Sequence, residues 1–362
     1  MPRLSVSPSS QHRSLRWTAL VRWVAAVAVI TLTAGCSLLV GQEPAQRTVT
    51  LVAHDSFVVD PRLLAEFEQR SGIHVEVRTS GDAGELANKL VLSKAAPLGD
   101  VAYGVDSTFA SRTLREGVFA PYRAADADQG PHRYAQDRQN RLTAVDVADV
   151  CVNIDTEWFA AHRMPEPATL RDLTEPRYRG LTAVPDPTTS SPGLAFLLGT
   201  VAAFGDPGWQ QYWRELAAND VKLSSGWEEV YNQDFSAAAE HGPRPIVLSY
   251  ASSPAAEVGD DGKPRTKALL DTCYRQVEYA GVLAGAKDPQ GAGQLVDFLL
   301  SREFQRQAPE QMYVYPAVDG VPLPPNWSAS APLPPRPAEL PASEVERNRD
   351  RWVQQWRTLV RG

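Results

Sequence analysis

Cysteine is almost missing from this chain: Cys36, Cys151 and Cys273 are the only three in 362 residues. That number excludes a disulfide-dense scaffold and a four-thiolate metal site. Histidine is scarce as well, with six residues and no His-x-His or His-Glu-x-x-His spacing, so a helix-borne zinc site of the usual kind has no ligands. Neither a Gly-x-Ser-x-Gly elbow nor a phosphate loop ending in Gly-Lys-Ser/Thr occurs. Beyond residue 36 there is no basic cluster, and the net charge is −7. Nucleic acid is therefore a poor partner, because phosphate contacts need concentrated lysine and arginine. What remains is a protein that handles a small molecule.

The first 36 residues carry Arg13, Arg16 and Arg22, then the apolar run Trp23 to Ile30, then Thr33-Ala34-Gly35-Cys36. A basic region, a short apolar core and small residues before a cysteine read as a bacterial export signal ending in a lipobox. The core is too short for a comfortable membrane span. Cleavage would leave Cys36 as a lipidated N-terminus, tethering the mature protein to the outer face of the cell membrane; an uncleaved signal anchor is the alternative. Residues 37–47 read as a tether.

The remaining stretch of about 325 residues suits two domains. Strands are expected at 48–53, 73–77 and 100–106, with helices from Pro61 to Ser71 and from 83 to 95 between them. Repeated β-α-β order implies a parallel sheet with crossover helices. The grammar restarts with strands at 147–154, 180–184, 245–250 and 276–283. Helices are expected at 156–162, 194–204 and 291–307, and an amphipathic helix at 342–360 carries Val345, Trp352 and Trp356. The fold class is thus α/β and two-lobed, each lobe a mostly parallel sheet flanked by helices.

Several strings, taken in order, carry a resemblance. They are His54-Asp55-Ser56-Phe57, Gly104-Val105-Asp106, Asp186 to Leu194 (DPTTSSPGL), Ser225-Gly226-Trp227, Leu248-Ser249-Tyr250, Gln276-Val277-Glu278 and Tyr315-Pro316. The series resembles the thiamine-binding solute-binding lipoproteins of bacterial ABC importers, within the type II periplasmic-binding-protein-like superfamily. The resemblance implies hinge strands crossing between lobe 1 (48–147 and 275–318) and lobe 2 (148–274 and 319–362). It also implies thiamine or its phosphate esters held in the interlobe cleft, no cofactor, no catalysis, and a monomer that delivers its cargo to permease and ATPase subunits.

Thiamine presents a permanent thiazolium cation, an aminopyrimidine edge and a hydroxyethyl arm that can carry phosphate. Aromatic faces contribute roughly 0.5–2 kcal/mol each to holding a cation, and Trp227, Tyr250, Tyr313 and Tyr315 are the candidates, with core packing as their alternative role. Asp55 and Asp106 close predicted strands, where ligands of open α/β sheets sit; each is either a ligand-facing carboxylate or a cap. Ser56 is a donor on the same loop as Asp55. Ser190, Ser191 and Gly193 open a helix after which Pro192 fits the first turn, so their N–H groups form an anion cradle for phosphate or hydroxyl, or an ordinary capped helix. Cys151 and Cys273 fall on the expected crossing strands, where they are either a disulfide that staples the hinge or two free buried thiols.

Two other functions fit less of the sequence. A ferric-iron binder of the same superfamily would use Tyr250 and Tyr315 as tyrosinates. A surface-anchored hydrolase would use Ser56 or Ser190 with His54 and Asp55, but residues at i and i+1 point apart.

Overall fold

Arg47–Ala53 (β1) alternates β-branched and apolar residues and is buried along its C-terminal half. It is the centre of a parallel block, pairing Leu51 with Val77 of β2 (Ile73–Thr79) on one side and with Val101 of β3 (Val101–Asp106) on the other. Between them run α1 (Pro61–Ser71), capped by Asp60 with Pro61 in its first turn, and α2 (Ala83–Leu92), capped by Asp82. The computed structural model describes residues 47–238 and 241–361. The expected export signal, the expected lipidation site Cys36 and most of the expected tether lie outside those residues.

After the short helix α3 (Ala110–Arg115) the chain enters β4 (Thr143–Val147), leaves the first sheet at Ala148-Asp149, and starts a second sheet with β5 (Val150–Asp155). The strand expected over 147–154 is therefore two strands. Helix α4 (Thr156–His162), β6 (Thr182–Pro185), α5 (Ser191–Phe204), α6 (Gly208–Ala218), β7 (Lys222–Ser224), β8 (Ile246–Tyr250) and β9 (Thr266–Tyr274) complete the second lobe. The chain returns through Arg275-Gln276 into β10 (Val277–Val282), followed by α7 (Pro289–Leu300), α8 (Arg302–Met312), β11 (Tyr315–Pro316) and the terminal helix α9 (Ala342–Arg361). The helix expected over 291–307 is broken at Ser301, whose side chain caps α8.

Strand order is β11-β4-β10-β3-β1-β2 in the first sheet and β7-β6-β8-β5-β9 in the second. The parallel pairing expected from the β-α-β order is found in β2-β1-β3 and β7-β6-β8, but the other five pairings, made by the strands at and beside the crossings, are antiparallel, so the sheets are mixed rather than mostly parallel. Helix α5 is apolar on all sides and buried over its first eleven residues, as a helix in the middle of a core must be. Among the described residues no helix is long and apolar enough to cross a membrane.

The two crossing segments are clamped together. Ala148 N donates to Gln276 O at 3.0 Å, and fully buried Asp149 accepts from Arg275 Nε at 2.5 Å and Nη2 at 3.2 Å. Cys151 and Cys273 are disulfide-bonded with Cα atoms 4.1 Å apart. The bond joins β5 to β9 inside the second sheet, one to two residues beyond the crossings. It fixes the base of the hinge on that lobe and does not bridge the crossing peptides themselves.

Candidate functional site

The cleft between the two sheets has a volume of about 360 Å³ and takes its walls from both lobes. From the first come His54, Asp55 and Ser56 after β1, Asp82 at the start of α2, Glu278 on β10, and Met312 and Tyr313 at the end of α8. The second supplies Ser191, the helical stretch after Gly226 with Trp227, Glu228, Tyr231 and Asn232, and Tyr250 and Ser253 after β8. Four carboxylates and four aromatic rings face this space, and none of the described residues lining it is a lysine or arginine.

The aromatic wall is built around Trp227. Its ring stacks on Tyr231 at 5.1 Å and tilts against Tyr250 at 5.8 Å, while its Nε1 donates to Ser249 Oγ at 2.9 Å. Indole orientation is thus fixed from both sides. Tyr313, from the first lobe, also lines the cleft, one-third exposed and stacked at 6.4 Å on Trp327. Burial pushes the phenols of Tyr250 and Tyr231 well above their ordinary range, and nearby carboxylates push them further. Both rings therefore stay neutral.

Glu278 stands in a strand whose other residues are apolar, and it is the buried charge of the cleft floor. His54 Nε2 lies 3.5 Å from its Oε2. Burial opposes charge on both groups, but each outweighs that cost for the other: His54 titrates above its ordinary value and Glu278 below. Behind them Tyr103 Oη donates to Asp146 Oδ2 at 2.6 Å and lies 3.1 Å from Glu278 Oε2. Burial and the Glu278 charge drive Asp146 far up, so it is the neutral member of the carboxyl pair. Gly104 makes room for this arrangement: at φ +95° its missing Cβ would stand 2.1 Å from the His54 ring.

Each contact across the cleft has one partner, Asp82 or Glu228, that sequence reasoning had not singled out. Asp82 Oδ1 accepts the Ser191 N–H at 2.8 Å and Oδ2 accepts the Trp227 N–H at 3.1 Å, while Ser56 Oγ donates to Glu228 Oε1 at 2.6 Å. Asp82 reads locally as no more than a helix cap after Ser80-Gly81, and Glu228 as a solvated residue beside a tryptophan. Only Glu278, a lone acid in an apolar strand, carried a signal.

Of the ten ligand-site residues expected from sequence, Asp55, Ser56, Ser191, Trp227, Tyr250 and Tyr313 line the cleft, and four do not. Asp106 is buried and turns inward: its Oδ1 accepts from Thr108 Oγ1 at 2.8 Å and from the N–H groups of Thr108 and Phe109, the turn alternative for this residue. Burial raises its pKa to about 7. Ser190 is the N-cap of α5, accepting from Gly193 N. Gly193 is required by its own backbone neighbours, since a Cβ there would lie 2.5 Å from Pro185 O. Tyr315 is buried and donates to Ala331 O at 2.7 Å, so Tyr250 and Tyr315 do not converge as iron-binding phenols. Where an anion cradle or an ordinary capped helix was expected, Ser190 caps α5 and the Ser191 N–H is taken by the Asp82 carboxylate. The His54-Asp55-Ser56 run makes no catalytic relay either, because His54 turns to Glu278 and Ser56 to Glu228.

Comparison with known proteins gives a consistent result. A family model described as bacterial extracellular solute-binding protein matches residues 96–335. The thiamine-binding periplasmic protein of Brucella suis biovar 1 (strain 1330) is 29% identical over 341 residues, covering 90% of this chain and 96% of that one. The protein of the same name from Escherichia coli (strain K12) is 28% identical over 328 residues, 87% of this chain and 94% of the other. A solved periplasmic thiamin binding protein superposes with a TM-score of 0.77 at 26% identity, covering 89% of this chain and 99% of that structure. Two sheets joined by clamped crossings, a cleft walled from both lobes and a family match over most of the described chain agree: the protein belongs to the bacterial extracellular solute-binding protein family.

Proposed function

We propose that the cleft binds thiamine, and that the chain is the solute-binding component of an ABC importer that passes thiamine to permease and ATPase subunits. The observation that carries this reading is the charge and chemistry of the cleft lining. Asp55, Asp82, Glu228 and Glu278 surround a space walled by Trp227, Tyr231, Tyr250 and Tyr313, with no lysine or arginine among the described lining residues. A flat heterocycle with a permanent positive charge matches such a lining, because aromatic faces and carboxylates both attract it. Relatives named for thiamine binding add support. In this reading the cation sits between the Trp227–Tyr250 wall and Glu278, and Asp55 and Ser56 offer polar contacts to the aminopyrimidine.

Anchoring through a lipid on Cys36, action as a monomer outside the cytoplasm, and lobe boundaries at 147/148 and 274/275 belong to the same proposal. Capture follows from geometry: Asp82–Ser191, Asp82–Trp227 and Ser56–Glu228 join the lobes only while the cleft is shut, so a ligand that fills the cleft favours that arrangement. A ferric ion is a poorer occupant, since the two phenols proposed for it do not converge: Tyr315 is buried and donates to Ala331 O. Calorimetric titration with thiamine and its mono- and diphosphates tests the proposal. One-to-one binding of at least one of them is expected, and no binding of any would overturn it.

A further inference from the structure

Helix α9 holds an arginine where its pattern calls for an apolar residue. Val345, Trp352 and Trp356 form its buried stripe, and Arg349 stands on the same stripe, only 8% exposed. Its guanidinium lies 4.3 Å above the Phe109 ring, its Nη1 donates to Asp350 Oδ1 at 2.7 Å, and its buried Nε has no hydrogen-bond partner among the described residues. A buried guanidinium with an unsatisfied N–H is costly unless something answers it.

Arg349 opens into a second cavity of about 320 Å³, separate from the cleft. Its lining includes Asn88 of α2, Arg112 of α3, Thr188 of the loop before α5, and Arg349, Asp350 and Arg357 of α9. Arg112 is held by Asn88 Oδ1. Arg357 makes no ion pair or hydrogen bond to the described residues, and Asp350 is the single carboxylate of the lining. Three guanidiniums facing one carboxylate leave two positive charges in a concave space. Burial lowers the pKa of Arg349; the Asp350 and Asp106 charges oppose this, the Arg112 charge adds to it, and the net direction is down, so Arg112 and Arg349 repel each other as they stand.

We propose that this cavity is a binding site for a small phosphate-bearing anion, held by Arg112, Arg349 and Arg357. Guanidinium forks match phosphate oxygens in pairs, and a phosphate monoester carries about −1.5 to −2 at neutral pH, which balances the surplus. The bound anion would neutralise the surplus and relieve the repulsion between the arginines. Asn88 and Arg112 belong to the first lobe, whereas Thr188 leads into α5 of the second, so the anion would span the seam between lobes outside the cleft.

Calorimetry of the full-length chain with inorganic phosphate and with pyrophosphate tests this, alongside Arg112→Gln and Arg357→Gln. Both substitutions lie outside the thiamine cleft and are checked for native thermal unfolding. Saturable one-to-one binding is expected, weakened at least about tenfold in each variant, with thiamine affinity in phosphate-free buffer unchanged. No saturable binding to the native chain, or equal binding by the native chain and both variants, would overturn the site. Phosphatidylcholine vesicles with and without phosphatidic acid form the second arm. Binding to the acidic vesicles without binding to either free anion would overturn the small-anion assignment.

Discussion

The Asp82 carboxylate, on the first lobe, accepts the Ser191 N–H at 2.8 Å from the start of α5 on the second. The positive end of a buried helix thus carries an internal anion in place of a bound one. A phosphorylated ligand reaching this helix end meets a carboxylate already there. Asp82→Asn keeps an acceptor for Ser191 and removes the charge, so it should raise the affinity for thiamine monophosphate relative to thiamine several-fold. Paired titrations of the two ligands give the ratio, and an unchanged ratio would separate Asp82 from phosphate discrimination.

Trp227 holds its ring between Tyr231 and Tyr250 with its Nε1 on Ser249. Trp227→Ala should weaken thiamine binding at least about tenfold, the equivalent of about 1–2 kcal/mol for one desolvated face over a cation. Fluorescence or calorimetric titration reads the loss, on protein whose unfolding temperature stays near native. Full affinity in the variant would make this ring part of the core only.

His54 competes with a cationic ligand for Glu278. Its pKa lies above the ordinary 6.5 because, against the cost of burial, Glu278 stabilises the imidazolium. A cation at Glu278 favours neutral His54, so binding expels a proton while the histidine is charged. Thiamine affinity should therefore climb as pH rises through the raised His54 pKa and level off above it. His54→Gln should flatten the profile. A native profile that falls over this range would contradict the assignment.

Asp106 makes a stability prediction that is independent of ligand. Its folded pKa of about 7 lies above the unfolded value, so the folded state binds more protons between those limits. Stability is highest below the unfolded pKa, falls as pH rises from about 4 to 7, and is flat above. Asp106→Asn retains an Oδ1 acceptor for Thr108 and Phe109 and abolishes the ionisation. It should raise the stability at pH 8 and change it little at pH 4, a difference of up to about 4 kcal/mol between the two. Thermal unfolding at both pH values checks this, and equal shifts would contradict it.

The fold was legible where local rules and tertiary structure agree. Pro61 and the Asp60 cap start α1 where expected, and the β-branched runs of β1 and β2 pair as read. It was less legible at the crossings, because Ala148-Asp149 and Arg275-Gln276 interrupt strands without a glycine or proline to mark the break. The site was legible on loops after strands: Asp55, Ser56 and Tyr250 reach the cleft there. Asp106 also follows a strand, but its carboxylate satisfies its own turn, and no sequence pattern separates those outcomes. Asp82 was missed because a capping role accounts for it locally, whereas its partners Ser191 and Trp227 lie 109 and 145 residues away.

The proposed cleft chemistry selects a positive charge on a flat ring. Thiamine and 3-deazathiamine share their shape, but the latter carries a neutral thiophene in place of the thiazolium. Their dissociation constants, measured side by side on the native protein, isolate that charge. Thiamine should bind at least about tenfold more tightly, the order of one cation–π contact reinforced by a carboxylate. Equal affinity for the two, or tighter binding of the neutral ring, would contradict it.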